Sequence, residues 1–174
     1  PDSLLDTPPA PVEVADTSEL EELGITRVEL ANGIVLWLKP TDFKDDEVLF
    51  YAYSPGGLSV VEDADVAAAQ LAPLIVQQSG VGPFDLTELE RVLAGKDVSL
   101  SPFLGEVEEG FSGSASPQDL ETLFQLLYLY STQPRSDAEA FTNFQRQVEE
   151  YLKNRALSPE TVLDDRTLEL FCGD

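Results

Sequence analysis

The order of strand and helix signals constrains the fold of this 174-residue chain more than any single motif does. Asn32-Gly33 lies between two apolar runs, residues 26–31 and 34–39, and predicts a hairpin closed by a type I′ turn. Residues 47–53 predict a third strand, which the Pro-Gly-Gly segment after it ends. The chain is therefore expected to open with three strands before its first helix.

Two helices are predicted next. Residues 65–79 are rich in Ala, Leu and Gln, and Gly80 after them is typical of a C-terminal cap. Pro73 lies inside this segment and is expected to kink or split the helix, because proline removes a backbone donor. Asp85 and Glu88 have the spacing of a capping box and predict a short second helix.

Two further strands, residues 97–103 and 106–112, precede three more helices. In the first of these strands Ser99, Ser101 and Phe103 alternate with apolar residues, so it is expected to have two distinct faces. The helices each start after a serine, at positions 116, 136 and 158, with proline or an acid in the first turn. The complete order predicts an α+β fold, a mostly antiparallel sheet with helices packed on one side.

Residues 1–24 differ in composition from the rest. Prolines 1, 8, 9 and 11 stiffen this segment and acids dominate the remainder, so we predict a Pro-rich acidic linker with one helical turn before Gly24. Residues 25–174 are then the domain proper. Because the chain begins with Pro1, we interpret it as a fragment or a processed product, for which missing targeting signals say nothing about compartment.

Acidic residues outnumber basic ones by 33 to 10, which gives a net charge of −23. Such a surface repels phosphate backbones and anionic lipids, so we expect no nucleic-acid partner and no membrane insertion. Two interpretations of the acidity stay open: a solvated surface suited to a high-salt host, or an acidic patch for a basic partner. The even spread of the acids along the chain favours the first.

Histidine is absent from the chain. Its absence excludes a Ser–His–Asp triad, a Cys–His mechanism and any His-ligated metal site. Cys172 is the single cysteine, so it cannot form an intrachain disulfide, and we expect it to be a structural thiol. The sequence therefore predicts no catalytic residue and no metal ligand in this segment.

Four other clusters admit both a functional and a structural interpretation, and the structural one is preferred for each. The acids of residues 42–47 lack the spacing of a calcium loop, and the glutamates of residues 106–109 suit the solvent face of a strand. The Gly/Ser-rich residues 110–116 lack the lysine of a phosphate loop and are expected to lead into a capped helix. The aromatic cluster is expected to form cross-strand pairs on neighbouring strands: Trp37, Phe50, Tyr51 and Tyr53.

Several strings, in their order and spacing, resemble the pitrilysin/insulinase family of zinc metalloproteases. They are the hairpin around Asn32-Gly33, the Gly56-Gly57 turn followed by Glu62-Asp63, the helices ending at Gly80 and Gly95, and the helix pair from Ala115 to Tyr151 with Pro134 in its link. The resemblance covers residues 26–156. It implies a metalloprotease-like domain (mitochondrial-processing-peptidase-like) that is truncated at its C-terminal end.

Active members of this family carry H-x-x-E-H on the first helix, and its two histidines hold zinc together with a later glutamate. Counted back from Gly80, the matching positions are Leu71, Ala72, Pro73, Leu74 and Ile75. The resemblance therefore implies a domain that has lost the zinc motif at Leu71, Leu74 and Ile75, with core contacts in its place. The later glutamate falls near Glu149 or Glu150, which we interpret as a solvated acidic pair.

The resemblance implies a non-catalytic domain of a zinc metalloendopeptidase. Such a domain would form one wall of a peptide-binding chamber and pack on a catalytic domain of the same polypeptide or of a partner subunit. Zinc would belong to that catalytic domain, and the ligand would be a peptide substrate. A stand-alone structural or protein-interaction module with the same fold stays open. A bacterial periplasm, cell envelope or cytoplasm is compatible with these features, as is a salt-loving host.

Overall fold

The computed structural model describes residues 3–155 and 157–172, without the side chain of Cys172, so the expected role of that thiol lies outside the described residues. The strands are β1 (Val14–Leu20), β2 (Ile25–Leu30), β3 (Val35–Leu38), β4 (Val48–Pro55), β5 (Val98–Leu104) and β6 (Glu108–Ala115). The α-helices are α1 (Val66–Gln78), α2 (Leu86–Leu93), α3 (Leu120–Thr132), α4 (Ala138–Arg155) and α5 (Pro159–Cys172). An α+β fold is confirmed.

The strands form two antiparallel three-stranded sheets rather than the one sheet predicted. The first sheet has the order β1-β2-β3 and the second the order β4-β6-β5. β4 pairs with β6 over its whole length, from Val48 opposite Ala115 to Pro55 opposite Glu108. The expectation of a single sheet is wrong because β4 finds its partner about sixty residues later in the chain instead of in the hairpin before it.

β1 lies inside the segment that was expected to be a linker. It pairs with β2 from Val14 opposite Leu30 to Leu20 opposite Ile25. Leu4 is buried in the core, and its backbone N–H donates to Gln125 Oε1 at 2.8 Å. The linker interpretation is therefore wrong for these residues, since strand pairing and burial hold them. The connection of this segment to a preceding domain stays a prediction.

The hairpin at Asn32-Gly33 is confirmed, but its turn is not type I′. Among the described residues only glycines have positive φ, and Gly33 has φ 88°. The Gly33 N–H donates to the Leu30 carbonyl at 2.9 Å, and the Asn32 side chain accepts the Ile34 N–H at 3.2 Å. Because the Leu30 N–H donates to the Ile34 carbonyl at 2.8 Å, the loop has three residues, 31–33, with glycine in the left-handed position.

The capping residues predicted from the sequence are confirmed for α2 and α5 and differ for α3 and α4. Asp85 and Glu88 form the predicted capping box, and Ser158 caps α5. α4 is capped by Asp137 instead of Ser136, since Asp137 Oδ1 accepts the N–H groups of Glu139 and Ala140 at 2.8 and 3.0 Å. α3 begins only at Leu120, after a turn in which Ser116 Oγ accepts an N–H. The Asp137 carboxylate is charged and accepts two backbone N–H groups at once, so it is a stronger cap than the neutral Ser136 hydroxyl.

The core lies between the second sheet and the helices. Its buried members are Leu4, Val81, Leu89, Leu100, Leu126, Leu129 and Tyr130. Phe50 of β4 meets Phe124 of α3 edge to face with ring centroids 5.8 Å apart, and Phe111 of β6 lies 6.0 Å from Tyr130. Alternate residues of β4, β5 and β6 therefore face α3, and the other face of this sheet points away from it.

Candidate functional site

The positions expected to match the lost zinc motif lie on α1, which runs through Pro73 as one helix and is not split there. Leu71 and Leu74 are 46% and 40% exposed, and Ile75 is half-buried. The expectation that these positions make core contacts is wrong for the two leucines. Hydrophobic periodicity predicts burial, but it cannot tell which side of a uniformly apolar helix the sheet will cover.

Zinc does not fit these residues. Leu71, Leu74 and Ile75 offer no nitrogen, oxygen or sulfur ligand, whereas zinc in proteins is held by His, Cys or carboxylate groups. Glu149 and Glu150 lie on α4 and are exposed, and Glu149 pairs with Lys153 at 3.8 Å. Within the described residues, no group of three His, Cys, Asp or Glu side chains is arranged to hold a metal ion.

The glutamates before and within β6 are tied to local hydrogen bonds. Glu109 accepts the Gly57 N–H at 2.5 Å and the Ser54 hydroxyl at 3.3 Å, and this fixes the Gly56-Gly57 turn. Glu108 accepts the Tyr51 hydroxyl at 2.7 Å, which raises the pKa of that phenol. Glu106 precedes the strand. The expectation that it lies on a strand face together with Glu108 is therefore wrong. These acids orient neighbouring groups rather than form a pair for acid–base chemistry.

Two of the acids in residues 42–47 pair with a lysine of the same segment. Lys44 Nζ lies 3.3 Å from Glu47 and 4.0 Å from Asp46, and the hydrogen bond to Glu47 raises the pKa of Lys44. A lysine paired with two of these acids opposes cation binding there. The Gly/Ser-rich residues 110–115 belong to β6, where the Ser114 and Ser99 hydroxyls lie 3.2 Å apart.

The aromatic residues expected as one cross-strand cluster are divided between the two sheets. Trp37 lies in β3 with the Arg27 guanidinium 5.9 Å above its ring. Phe50 faces the core, whereas Tyr51 and Tyr53 lie on the opposite face of the second sheet. There the Tyr51 ring contacts Phe103 of β5 and Tyr53 rather than Trp37. The expectation of neighbouring strands is wrong for Trp37. The alternation in β5 correctly predicts that Phe103 lies on the same face as Ser99 and Ser101. Its contact with Tyr51 depends on the strand order β4-β6-β5, which the alternation does not predict.

A small cavity of about 200 Å³ lies beside β5 and is lined by residues of α2, α3 and β5, five of which are leucines. Gln77 donates to Ser101 Oγ at 3.0 Å at its rim. Burial raises the pKa of the Tyr130 phenol on its wall, so that group stays neutral at physiological pH. The lining offers no nucleophile with a neighbouring base, so the cavity does not have the chemistry of a catalytic site.

Comparison with known proteins gives relatives of one kind, although no family model matches the chain. The protein named zinc protease PQQL-like from Arabidopsis thaliana is 29% identical over the whole chain, and the probable zinc protease PqqL from Haemophilus influenzae is 28% identical over 74% of it. The chain spans only 16% and 14% of the lengths of these two relatives.

Two solved structures have the same fold. The periplasmic protease PqqL from Escherichia coli superimposes with a TM-score of 0.77 over 97% of the chain at 23% identity. A mutant of the ferredoxin protease FusC, in complex with Arabidopsis ferredoxin, superimposes with a TM-score of 0.72 over 99% of the chain at 19% identity. The chain covers 18% and 19% of these two proteins.

The fold is therefore that of a metalloprotease-like α+β domain. Together with the two curated relatives, these likenesses confirm the resemblance to the pitrilysin/insulinase-type zinc metalloprotease family. Among the described residues, no helix is long and apolar enough to cross a membrane.

Proposed function

We propose that this chain is a non-catalytic domain of a zinc metalloprotease. It would line part of a peptide-binding chamber and pack on a catalytic domain that holds the zinc. One observation carries the proposal: α1, the helix expected to match the one on which active members bear H-x-x-E-H, contains no His, Cys, Asp or Glu. In the expected register, Leu71, Leu74 and Ile75 would replace the zinc motif. The chain has no histidine that another register could supply.

Packing on another domain is supported by apolar side chains that this chain leaves in solvent on its last two helices. They are Tyr151, Leu152, Val162, Leu163, Leu168, Leu170 and Phe171. So many large apolar side chains in solvent on two consecutive helices are uncommon on a monomer and are typical of a surface that packs on a partner. Obligate interfaces are more hydrophobic than transient ones, so this surface suits permanent packing against a neighbouring domain.

The proposal is tested with the parent protein expressed without this segment. Hydrolysis of a fluorogenic peptide would be measured with and without the 174-residue chain added in trans. We expect a clear gain in kcat/KM with the chain present. A chain with Leu168→Ser and Phe171→Ser should lose the gain. The control Phe43→Ser, at a more exposed side chain in the loop before β4, should retain it.

Two results would contradict the proposal. If the chain neither associates with the rest of the parent nor changes its kcat/KM, a stand-alone interaction module becomes the better account. If the purified chain retains one equivalent of zinc after dialysis against a weak chelator, the assignment of the metal to another domain is wrong. Elemental analysis of the isolated chain measures the second quantity directly.

A further inference from the structure

The second sheet has a face that the helices leave largely uncovered, although α1 reaches its edge where Gln77 donates to Ser101 Oγ at 3.0 Å. In antiparallel strands, directly paired residues point to the same side of the sheet. The register places Leu49 with Ser114 and Ser99, Tyr51 with Ser112 and Ser101, and Tyr53 with Gly110 and Phe103 on that side. We call this surface the open face. It combines aromatic rings with a row of hydroxyl groups.

The aromatic rings of the open face form one contiguous group. Tyr51 stacks on Phe103 with centroids 5.2 Å apart and planes 11° from parallel, and Tyr53 lies 5.7 Å from Tyr51. Gly110 lies between Tyr53 and Phe103 on the central strand, so no side chain there separates the rings. Tyr51 and Tyr53 are nevertheless 54% and 63% exposed. Three rings are thus held in fixed positions while much of their surface stays in water.

The strands that form the open face carry acidic residues and no basic ones. The sequence has no lysine or arginine between Lys44 and Arg91 or between Lys96 and Arg135, so β4, β5 and β6 carry no basic residue. Glu108 lies at the end of the face, where its Oε1 accepts a hydrogen bond from the Tyr51 hydroxyl. None of the described side-chain hydrogen bonds uses its Oε2, so this atom can accept a further donor. An anionic rim beside exposed tyrosine rings complements a cation that also stacks on aromatic groups.

We propose that the open face binds an extended peptide substrate through an arginine or lysine side chain, which stacks on Tyr51 and Tyr53 and pairs with Glu108. This inference rests on the proposed function, because it names the class of peptide that this wall of the chamber would select. Arginine fits best, since its planar guanidinium stacks on aromatic rings and pairs with carboxylates. The same chain pairs Arg27 with Trp37 in its first sheet.

The other occupants of such a face fit less well. A second copy of the chain would bring another 23 net negative charges against an anionic rim. Permanent packing of a neighbouring domain suits the apolar helix surface described above better than a face of hydroxyls, phenols and carboxylate. Mixed polar and aromatic chemistry that keeps its water is typical of transient recognition.

The test titrates three unstructured nonapeptides into the isotopically labelled 174-residue chain and follows the amide signals of β4 and β5 by NMR. The peptides share one Leu/Ala/Gly background and carry two arginines, two citrullines or two glutamates at the same places. Citrulline keeps the shape of arginine and removes its charge. We expect the arginine peptide to bind about tenfold more tightly than the citrulline peptide, and the glutamate peptide not to bind.

Matched variants assign the binding to the open face. Tyr53→Leu and Glu108→Gln should each weaken arginine-peptide binding about three- to tenfold, because one removes the ring face and the other the charge. Phe141→Leu and Glu150→Gln lie on α4, where Phe141 is 46% exposed, and should leave the affinity unchanged. Glutamine still accepts a hydrogen bond from Tyr51, so this variant is expected to keep the fold of the sheet.

Equal affinity for the arginine and citrulline peptides, or equal loss in the open-face and α4 variants, would overturn the proposal. These outcomes are separable from failure of the proposed function. If the chain restores hydrolysis in trans without any preference for arginine, the chamber assignment survives and the open face does not carry selectivity. If arginine-selective binding is found without any gain in hydrolysis, the surface survives and the chamber assignment fails.

Discussion

At the scale of single residues, Asp137 decides where α4 begins. Its carboxylate accepts the N–H groups of Ala140 and Glu139, with Arg135 nearby, and these contacts lower its pKa. The sequence points to Ser136, one position earlier, because serine with an acid three residues later is the common signature of a cap. Such signatures locate a helix start to within a residue or two, but the geometry of the preceding link selects the side chain that faces the helix.

Asp137→Ala is expected to destabilise the chain at neutral pH, whereas Ser136→Ala should have no effect, because Ser136 makes no side-chain hydrogen bond among the described contacts. A carboxyl whose folded pKa is depressed contributes stability above its unfolded pKa of about 4 and loses it as pH falls through the folded value. The Tm of Asp137→Ala should therefore be a few degrees below wild type at pH 7, and the gap should close below about pH 4. Thermal melts from pH 3 to pH 7 measure this, and a gap that is independent of pH would contradict it.

Gly80 and Gly95 make a second comparison between residues. Both have positive φ, 79° and 83°, but a Cβ on Gly80 would overlap the Phe84 carbonyl oxygen and lie 2.6 Å from the Asp85 carbonyl carbon. A Cβ on Gly95 would meet nothing within 4 Å. Gly95→Ala should cost about 1 kcal/mol, the usual penalty of left-handed backbone. Gly80→Ala should cost about 3 kcal/mol or more, because the backbone at the start of α2 must move as well. Urea denaturation compares them, and equal costs would show that the close approach at Gly80 is relieved freely.

At the scale of elements, local chemistry predicts the helices and the hairpin well. The capping box at Asp85, the start of α5 at Ser158 and the turn at Gly33 all follow from interactions within four residues of chain. Burial is harder to predict. β1 has the sequence VADTSEL and lies mostly in solvent, so its composition resembles that of a linker and only its pairing with β2 identifies it as a strand.

The candidate zinc positions on α1 illustrate the same limit. The five apolar residues predict the loss of the metal site directly, because ligand chemistry is a property of the residues themselves. Their exposure is a property of the packing, and α1 lies against β5 with Leu71 and Leu74 turned outward. Sequence alone therefore predicts what this helix cannot bind, but not which of its faces stays free.

Exposure of α1 is tested with polar substitutions that keep helix propensity. Leu71→Gln and Leu74→Gln should each change the free energy of unfolding of the isolated chain by less than about 1 kcal/mol, because the side chains are already partly in water. Leu123→Gln on α3, where the side chain is fully buried, should cost about 3 kcal/mol or more or prevent folding. Comparable losses at all three positions would mean that α1 is packed as tightly as the core.

At the scale of the whole molecule, the pairing of β4 with β6 sets the architecture and is the least accessible to sequence reasoning. It joins residues that lie 67 positions apart at one end, Val48 and Ala115, with two helices and a strand between them. Local patterns predict that each strand exists, but the partner depends on which apolar faces α1 and α3 bury together. This pairing also brings Phe103 beside Tyr51, so the open face arises from topology rather than from any motif.

The net charge of −23 acts on the whole molecule as well. Only ten basic residues are available to offset 33 acids, so self-repulsion opposes the compact state. The range of this repulsion falls from about 30 Å at 0.01 M salt to about 3 Å at 1 M, which predicts a Tm that rises steeply with NaCl concentration. A chain with Asp42→Asn, Glu62→Gln and Asp63→Asn, all exposed and outside the described side-chain hydrogen bonds, should melt higher at low salt and show a shallower slope. If the Tm of neither chain depends on salt, the interpretation of a surface suited to a high-salt host is wrong. If the Tm of both chains rises with NaCl at the same slope, the salt effect comes from hydrophobic burial and not from charge.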